Sequence, residues 1–198
     1  MEAIEEYVLG IDPGLTLTGM VLYKHKKDRT LLDWATHASP KLGYTDLQRV
    51  ASLAEAILST AQVWCHKYDI QALDACLELP IVRGNVRAFG KQMRLIQEIE
   101  VGLMFVLIGK DRPLANFHLV EVMPTESKRL ATGSGKADKD DMIVASPLGD
   151  WDMGLDRDTQ EALADAWGHG QAAYGGGGKR IDLGRIQAAR VVSNGSEY

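Results

Sequence analysis

The sequence has few of the features that mark secreted, membrane-spanning or zinc-stabilised proteins. Only two cysteines, Cys65 and Cys76, occur among 198 residues. Without a CxxC pair or a Cys/His cluster, they argue against a disulfide framework or a structural zinc site. No apolar stretch approaches the roughly 18 residues that span a bilayer, and the first residues are acidic, unlike those of a signal peptide. We therefore expect a cytoplasmic protein that does not contact a membrane.

An excess of positive charge is also missing. The chain has 22 lysines and arginines against 27 acidic residues, which gives a formal net charge of -5. This balance does not by itself indicate nucleic-acid binding, although a local basic stripe can supply a field that the net charge hides. With 45% hydrophobic and 25% charged residues, the composition is that of an ordinary globular protein, and the length suits one domain.

The hydrophobic pattern predicts an α/β protein with a mixed sheet. Three strands form an antiparallel meander, after which helix, strand, helix and strand follow, with further helices at the end. The predicted strands span residues 6–12, 18–24, 29–38, 70–79 and 116–123, and the predicted helices span 46–68, 86–107, 128–144 and 158–174. Residues 1–174 make one predicted domain. Because the glycines at 175–178 break any helix, residues 175–198 are predicted to be a flexible basic tail or an arm that a partner orders.

Two carboxylates stand where predicted strands end. Asp12 closes the first strand in VLGIDPGLTLTG, and Glu78 closes the fourth strand in DACLELP. Gly14, Thr16 and Gly19 are predicted to form a tight hairpin that holds Asp12 at the sheet edge. An ionised carboxylate in apolar surroundings is penalised unless it is paired, and two that converge repel each other. A divalent cation between them removes both penalties.

These strand-end carboxylates also have structural interpretations. Asp-Pro-Gly is a common turn, which accounts for Asp12 without a metal. Glu78 has Arg83 and Arg87 as candidate ion-pair partners. Asp74 shares the facing parity of Glu78 on the same strand and is a lesser rival for the metal role.

Further carboxylates lie in DRDTQEALADAWGHG, near the end of the predicted domain. Glu161 and Asp165 are four residues apart and share one helical face, and Asp158 lies seven residues before Asp165. Oxygen ligands from two strand ends and one helix suit Mg²⁺ or Mn²⁺, two of which can activate a water and stabilise a leaving oxygen in phosphodiester hydrolysis. The alternative for Glu161 is a capping box with Asp158 at the start of the helix.

Two groups of basic residues are candidates for contacts with nucleic acid. The first forms a stripe on one side of the predicted helix 86–107 and the segment before it, and consists of Arg83, Arg87, Lys91 and Arg94. Such a stripe can neutralise several phosphates, and the alternative is a solvated helix face. The second group surrounds TGSGKADK, whose small residues permit close approach of a phosphate, and consists of Lys128, Arg129, Lys136 and Lys139.

Four segments in order resemble the motifs of the RuvC family of Holliday-junction resolvases, which are nucleases of the ribonuclease H-like fold. They are GIDPGLTLTG, LELP, PTESKRLATGSGKADK and ALADAW, and the resemblance covers residues 6 to 174. It implies that Asp12, Glu78 and Asp165 are ligands of two Mg²⁺ ions, with Mn²⁺ also supporting activity. It further implies that Lys128 and Lys139 lie near the scissile phosphate.

The last of these motifs departs from the family pattern. Family members usually carry an acidic residue or a histidine three positions before the final aspartate, where this chain has Ala162. Glu161 is the expected substitute, with Asp158 as the other candidate for the fourth ligand. In the family an aromatic residue after the strand-four glutamate helps to separate strands, whereas Leu79, Pro80 and Ile81 follow Glu78 in this chain. Selectivity for a four-way junction is therefore less well supported than cleavage.

The leading hypothesis is a metal-dependent, structure-selective DNA endonuclease that resolves four-way junctions or related branched DNA. Because two opposed strands of a junction must be cut, its symmetry implies a C2 homodimer with paired active sites. By the resemblance, the cut leaves a 5′-phosphate and a 3′-hydroxyl. The alternative is a catalytically weak module of the same fold that binds branched or structured nucleic acid. An actin-like ATPase or sugar kinase is disfavoured, because such proteins need two phosphate-gripping lobes and this chain has one.

Overall fold

The computed structural model describes residues 5–25, 30–40, 43–81, 86–108, 114–147, 154–175 and 178–182. These residues form one six-stranded sheet with helices on both faces. The strands are β1 (Glu6–Asp12), β2 (Leu17–His25), β3 (Leu31–Ala38), β4 (Ala72–Glu78), β5 (Asn116–Val122) and β6 (Lys179–Asp182). The helices are α1 (Asp46–Lys67), α2 (Val86–Ile108), α3 (Pro124–Thr132), α4 (Lys139–Ala145), α5 (Arg157–Gly170) and α6 (Ala172–Gly175).

The strand order across the sheet is β3-β2-β1-β4-β5-β6. β1, β2 and β3 form an antiparallel meander, while β4 pairs parallel with both β1 and β5. The predicted mixed sheet, with its meander followed by helix, strand, helix and strand, is therefore confirmed. The parallel pairing has a direct consequence for function, because it brings the carboxyl ends of β1 and β4 to the same edge of the sheet.

Both faces of the central strands are covered, which explains why they read as continuous apolar runs. On one face, alternate residues such as Leu9 and Ile11 pack against α1 and α2. On the other face, Val8 and Cys76 pack against α5 and the helices around it. The α1 helix begins at a capping box formed by Thr45 and Gln48, in which each side chain bonds the backbone N–H of the other residue.

The α5 helix lies directly on the backbone of β1 and β2. A Cβ at Gly10 would overlap the carbonyl of Ala166, and a Cβ at Gly19 would overlap the carbonyl of Ala162. Only glycine at these two positions lets the helix come this close to the sheet. Gly19 therefore has a role beyond the predicted hairpin, since it lies inside β2 and pairs with Asp12.

Two of the predicted helices are divided in the structure. The predicted helix 128–144 consists of α3, which already begins at Pro124, and α4, which begins at Lys139. α3 ends at Gly133, which adopts the left-handed conformation with φ of 85° and so turns the chain. Asp138 starts α4 as its N-cap. The predicted helix 158–174 likewise consists of α5 and the short α6.

The structure differs from the predicted flexible tail at residues 179–182. This segment forms β6, which pairs antiparallel with β5 at the edge of the sheet. The physical reason is a charge contact that a search for hydrophobic periodicity misses: the guanidinium of Arg180 donates to both carboxylate oxygens of Asp74 at 2.5 and 2.6 Å. His118 Nδ1 lies 2.8 Å from the same carboxylate. Residues 183–198 lie outside the described residues.

Asp74 is thereby removed as a rival for the metal role. Asp74 is 6% exposed, and its carboxylate contacts Arg180 and His118. Within the described ranges, no helix is long and apolar enough to cross a membrane.

We expect Gly19→Ala to lower the free energy of unfolding by about 1–3 kcal/mol, because the new methyl group forces α5 away from β2. Gly90→Ala is the matched control, since a Cβ at Gly90 in α2 meets nothing within 4 Å. That control should be neutral or stabilising by up to about 1 kcal/mol. Urea unfolding followed by circular dichroism measures both changes, and equal effects of the two substitutions would contradict the proposed reason for Gly19.

Candidate metal centre and active site

The site forms where two strand ends meet. Asp12 ends β1 and Glu78 ends β4, and their side chains are 23% and 25% exposed. The turn after Asp12 is fixed by two hydrogen bonds. The Gly14 N–H donates to the Asp12 carbonyl at 2.9 Å, and the Thr18 hydroxyl donates to the Gly14 carbonyl at 3.0 Å. These two hydrogen bonds therefore hold the turn that positions Asp12 at the sheet edge.

The α5 helix adds two further groups to this edge, Asp165 and His169. They are four residues apart and share one face of the helix. The His169 side chain is 2% exposed, and its Nε2 lies 3.4 Å from Glu78 Oε2 and 3.8 Å from Asp12 Oδ1. Strand ends and helix together therefore gather three carboxylates and one imidazole.

The carboxylates and the imidazole at this edge change one another's pKa values. Burial raises the pKa of Glu78, and the carboxylates of Asp12 and Asp165 raise it further, against the opposing effect of His169. Burial likewise raises the pKa of Asp165, with the Asp12 carboxylate raising it further and His169 and then Lys139 opposing the rise. Burial lowers the pKa of His169, but the three carboxylates outweigh it and hold the pKa above its ordinary value. The cluster thus carries an excess of negative charge in a poorly solvated position.

The α3 helix closes the other side of the site. The Ser127 hydroxyl lies 2.9 Å from His169 Nδ1, and both residues are buried. Lys128 donates a hydrogen bond to the Ala137 carbonyl at 2.6 Å, which holds its side chain beside the carboxylates. A cavity of about 280 Å³ opens between these elements and is lined by Glu78, Pro80, Ile81, Gln92, Pro124, Ser127, Lys128, Asp165 and His169.

Glu161 lies on α5 one turn before Asp165, but its carboxylate already has two cationic partners. Lys139 forms an ion pair with it, and Arg157 Nε donates to its second oxygen at 2.8 Å. The hydrogen bonds from Lys139 and Arg157 hold the pKa of Glu161 below its ordinary value. The N-cap of α5 is Asp156, so the capping-box alternative for Glu161 is wrong.

Asp158 is the other candidate for a fourth ligand that the sequence offered. It is exposed in the first turn of α5. It lies seven residues from Asp165, which is about 10 Å along the helix axis. The role of Glu161 as a fourth ligand remains a prediction, with its carboxylate held by Lys139 and Arg157.

The predicted basic stripe is only partly available to a ligand. Arg83 lies outside the described residues. Arg87 and Lys91 both pair with Asp46 at the start of α1, at 3.6 and 2.6 Å. Arg94 is exposed on the same helix. The Arg87 pairing also means that this residue does not neutralise Glu78, as one structural interpretation required.

The second basic group surrounds the site. Lys128 lines the cavity, and Lys139 is close enough to Asp165 and Asp12 that both carboxylates raise its pKa, after the larger effect of its bond to Glu161. Arg129 pairs with Glu126 on the outer face of α3. Lys136 is exposed in the turn before α4. Two of the four residues thus stand beside the carboxylates.

The donors fit a divalent cation by their chemistry. Carboxylate oxygens suit Mg²⁺ and Mn²⁺, and the buried Nε2 of His169 has no hydrogen-bond partner among the described residues. In the described part of the chain, no three His, Cys, Asp or Glu side chains are already set at coordinating positions around one point. Coordination therefore requires the carboxylates to rotate towards a common point.

A comparison with known proteins identifies the family. The chain is 31% identical over 166 residues to the crossover junction endodeoxyribonuclease RuvC of Corynebacterium diphtheriae, an alignment that covers 81% of this chain and 91% of that protein. The chain belongs to the RuvC family. No protein-family model matches the sequence.

Solved structures show the same fold for this RuvC-family protein. Thermus thermophilus RuvC matches with a TM-score of 0.63 and 20% identity over 88% of this chain and 99% of that chain. The same protein in complex with Holliday junction substrate matches with a TM-score of 0.64. The yeast mitochondrial Holliday junction resolvase Ydc2 matches with a TM-score of 0.50 and 14% identity over 83% and 80% of the two chains. These likenesses establish the ribonuclease H-like sheet.

Sequence reasoning missed His169 as a member of the site. Its distance of four residues from Asp165 was the available signal, because it places both side chains on one helical face. A histidine in an otherwise apolar segment, AWGHG, also reads as a core residue. Only the position of α5 on β1 and β4 shows that the ring faces Asp12 and Glu78.

In metal-free buffer, we expect Asp165→Asn to raise the free energy of unfolding by about 1 kcal/mol, because it removes one of the mutually repelling, poorly solvated carboxylates. The same substitution should remove most of the stabilisation that Mn²⁺ gives to the wild-type protein. Asp158→Asn is the control on the same helix: it should leave the Mn²⁺ stabilisation unchanged and lower the metal-free stability slightly, because Asp158 lies in the first turn of α5, where a negative charge interacts favourably with the helix dipole. Thermal unfolding with and without Mn²⁺ measures both effects, and a loss of metal-free stability in Asp165→Asn would contradict the repulsion.

Proposed function

We propose that this protein is a divalent-metal-dependent, structure-selective DNA endonuclease that cuts four-way junctions or related branched DNA. The observation that carries the proposal is the convergence of Asp12, Glu78 and Asp165 at one sheet edge, where burial and mutual repulsion favour a bound cation. Membership of the RuvC family supports the same chemistry, because the curated relative is a crossover junction endodeoxyribonuclease.

The residues divide the work between metal binding and phosphate binding. Asp12, Glu78 and Asp165 are the proposed ligands of Mg²⁺ or Mn²⁺, with two ions per site. Bound ions of this kind supply a water of lowered pKa and neutralise charge on the leaving oxygen. Asp12 is the proposed shared ligand, because it ends β1 between Glu78 on the neighbouring strand and Asp165 on the overlying helix.

Lys128 and Lys139 are the proposed phosphate-binding residues. The bond from Lys128 to the Ala137 carbonyl holds its ammonium group at the cavity wall, where it can stabilise charge that develops on the phosphate. Lys139 pairs with Glu161, and a phosphate entering the site competes with that carboxylate for the same ammonium group. Exposed Arg94 and Lys136 are proposed to contact the DNA backbone away from the cut.

Two strands must be cut in a four-way junction, so we further propose a C2 homodimer with two sites. The outer surface of α1 and α2 supports a contact between copies. Phe105 is 73% exposed, and Val101, one helical turn before it on α2, is also exposed. They border a groove of about 480 Å³ between the two helices, lined by Ala51, Ala54, Glu55, Leu58, Ser59, Gln62, Glu98, Val101, Gly102, Phe105 and Val106. A second copy covering this surface would remove large apolar side chains from water.

Asp12→Asn should reduce cleavage of a synthetic four-way junction by more than about 100-fold, because it removes the proposed shared ligand. Junction binding should stay within about threefold of the wild type, since the basic residues are unchanged. Asp158→Asn, which changes an exposed aspartate, is the control and should cleave normally. Gel assays in Mg²⁺ and in Mn²⁺ measure cleavage and binding on four-way junctions, flaps and single strands. If the wild type leaves all of these intact, the protein is instead a binding module of the same fold.

Phe105→Glu should convert the dimer to a monomer, because it places a charge in the apolar contact. Sedimentation velocity measures the change, with Asp12→Asn as a variant that should remain dimeric. Phe105→Glu should also nick single strands of a junction without paired cuts. A wild-type protein that sediments as a monomer at micromolar concentration, with or without junction DNA, would contradict this proposal.

A further inference from the structure

The imidazole of His169 has one nitrogen within hydrogen-bond distance of a hydroxyl, while its other nitrogen faces two carboxylates without a hydrogen bond among the described residues. The ring is 2% exposed. Its Nδ1 lies 2.9 Å from the Ser127 hydroxyl, whereas its Nε2 is buried and has no hydrogen-bond partner in the described part of the chain. A buried polar atom without a partner is costly, so such an atom calls for a ligand.

The partner of Nδ1 determines what Nε2 can do. When the Ser127 hydroxyl accepts a hydrogen bond from Nδ1–H, the lone pair of the neutral ring is on Nε2. Metal-binding histidines are commonly fixed in this way, with the other ring nitrogen donating to a neighbouring group. Gly168 leaves room for both Met142 and Ser127, since a Cβ there would overlap the Met142 methyl group and lie 3.1 Å from the Ser127 oxygen.

The surroundings of Nε2 are carboxylates at distances that exceed an ordinary hydrogen bond. Nε2 lies 3.4 Å from Glu78 Oε2 and 3.8 Å from Asp12 Oδ1, whereas N–H···O bonds are usually about 2.7–3.2 Å. Two ligands of one ion, each with a bond of about 2.1 Å, lie about 3.0 to 3.7 Å apart for bond angles of about 90° to 120°. The 3.4 Å separation lies within this range and the 3.8 Å separation just beyond it. A rotation of the carboxylates is still needed to bring three donors around one ion in the described part of the chain.

We infer that Nε2 of His169 is a direct ligand of the divalent ion that Asp12 and Glu78 hold, with Ser127 as the residue that positions the ring. This inference rests on the proposed metal site. A nitrogen ligand favours first-row transition ions over Mg²⁺, which prefers oxygen. The inference therefore also assigns the site a preference for Mn²⁺ over Mg²⁺, and it gives α5 two ligands, Asp165 and His169, on successive turns.

Electron spin-echo envelope modulation of Mn²⁺ bound to the wild-type protein tests the inference without reference to cleavage. We expect modulation from a directly bound ¹⁴N nucleus, which ¹⁵N-labelling of histidine should replace by the ¹⁵N pattern. His169→Gln should abolish the modulation, because it offers the ion an amide oxygen in place of the imidazole nitrogen. His66→Gln, which changes an exposed histidine on α1, is the matched control and should retain it.

Binding titrations with Mn²⁺ and Mg²⁺ supply a second readout. His169→Gln should lower the affinity for Mn²⁺ by at least about tenfold and that for Mg²⁺ much less, and Ser127→Ala should weaken Mn²⁺ binding by about 10-fold by releasing the ring. Bound Mn²⁺ without nitrogen modulation in the wild type would overturn the role of His169 and leave the carboxylate site standing. Failure of the wild type to bind Mn²⁺ at all would overturn both the inference and the proposed metal site.

Discussion

The contact of α5 with the backbone of β1 and β2 is the constraint on which the site depends. Gly10 and Gly19 have no side chain, so the helix backbone rests against the strand backbone. This contact fixes the height at which Asp165 and His169 stand over the sheet edge. Since Asp12 and Glu78 are fixed by strand pairing, the relative positions of all four groups follow from the sheet and one helix. A wider gap between helix and sheet would separate them and remove the electrostatic coupling.

That packing has an electrostatic cost, which His169, Lys128 and Lys139 offset only in part. On β4, Asp74 and Glu78 have the same parity, yet their environments differ. Asp74 is neutralised by Arg180 from β6 and contacts His118. Glu78 has no arginine beside it in the described residues, and the pKa of its carboxyl is raised by burial and by its acidic neighbours. The difference in partners separates a structural carboxylate from one suited to bind a metal.

The cationic groups of the site are placed at its border. Lys128 is fastened to a backbone carbonyl, and Lys139 is paired with Glu161, which Arg157 also binds. In the proposed function these lysines meet the phosphate of the DNA, and the strand-end carboxylates bind the metal ions. Arg87 and Lys91, which belong to the predicted basic stripe, are both paired with Asp46. A helical wheel therefore overestimates the positive charge that is free to bind DNA, because it does not show ion pairs with other helices.

The sequence by itself determined the order of the first five strands and of the two long helices between them, because burial on both sheet faces leaves continuous apolar runs and helical periodicity survives in long helices. It also determined Asp12 and Glu78 as strand-end carboxylates and Asp165 as their companion. Only the tertiary structure decided the rest. It showed β6, which is too short to have a pattern and is anchored by Arg180. It also placed His169 in the site. The groups that a helical side chain faces depend on the elements that the helix packs against, and the local sequence does not contain that information.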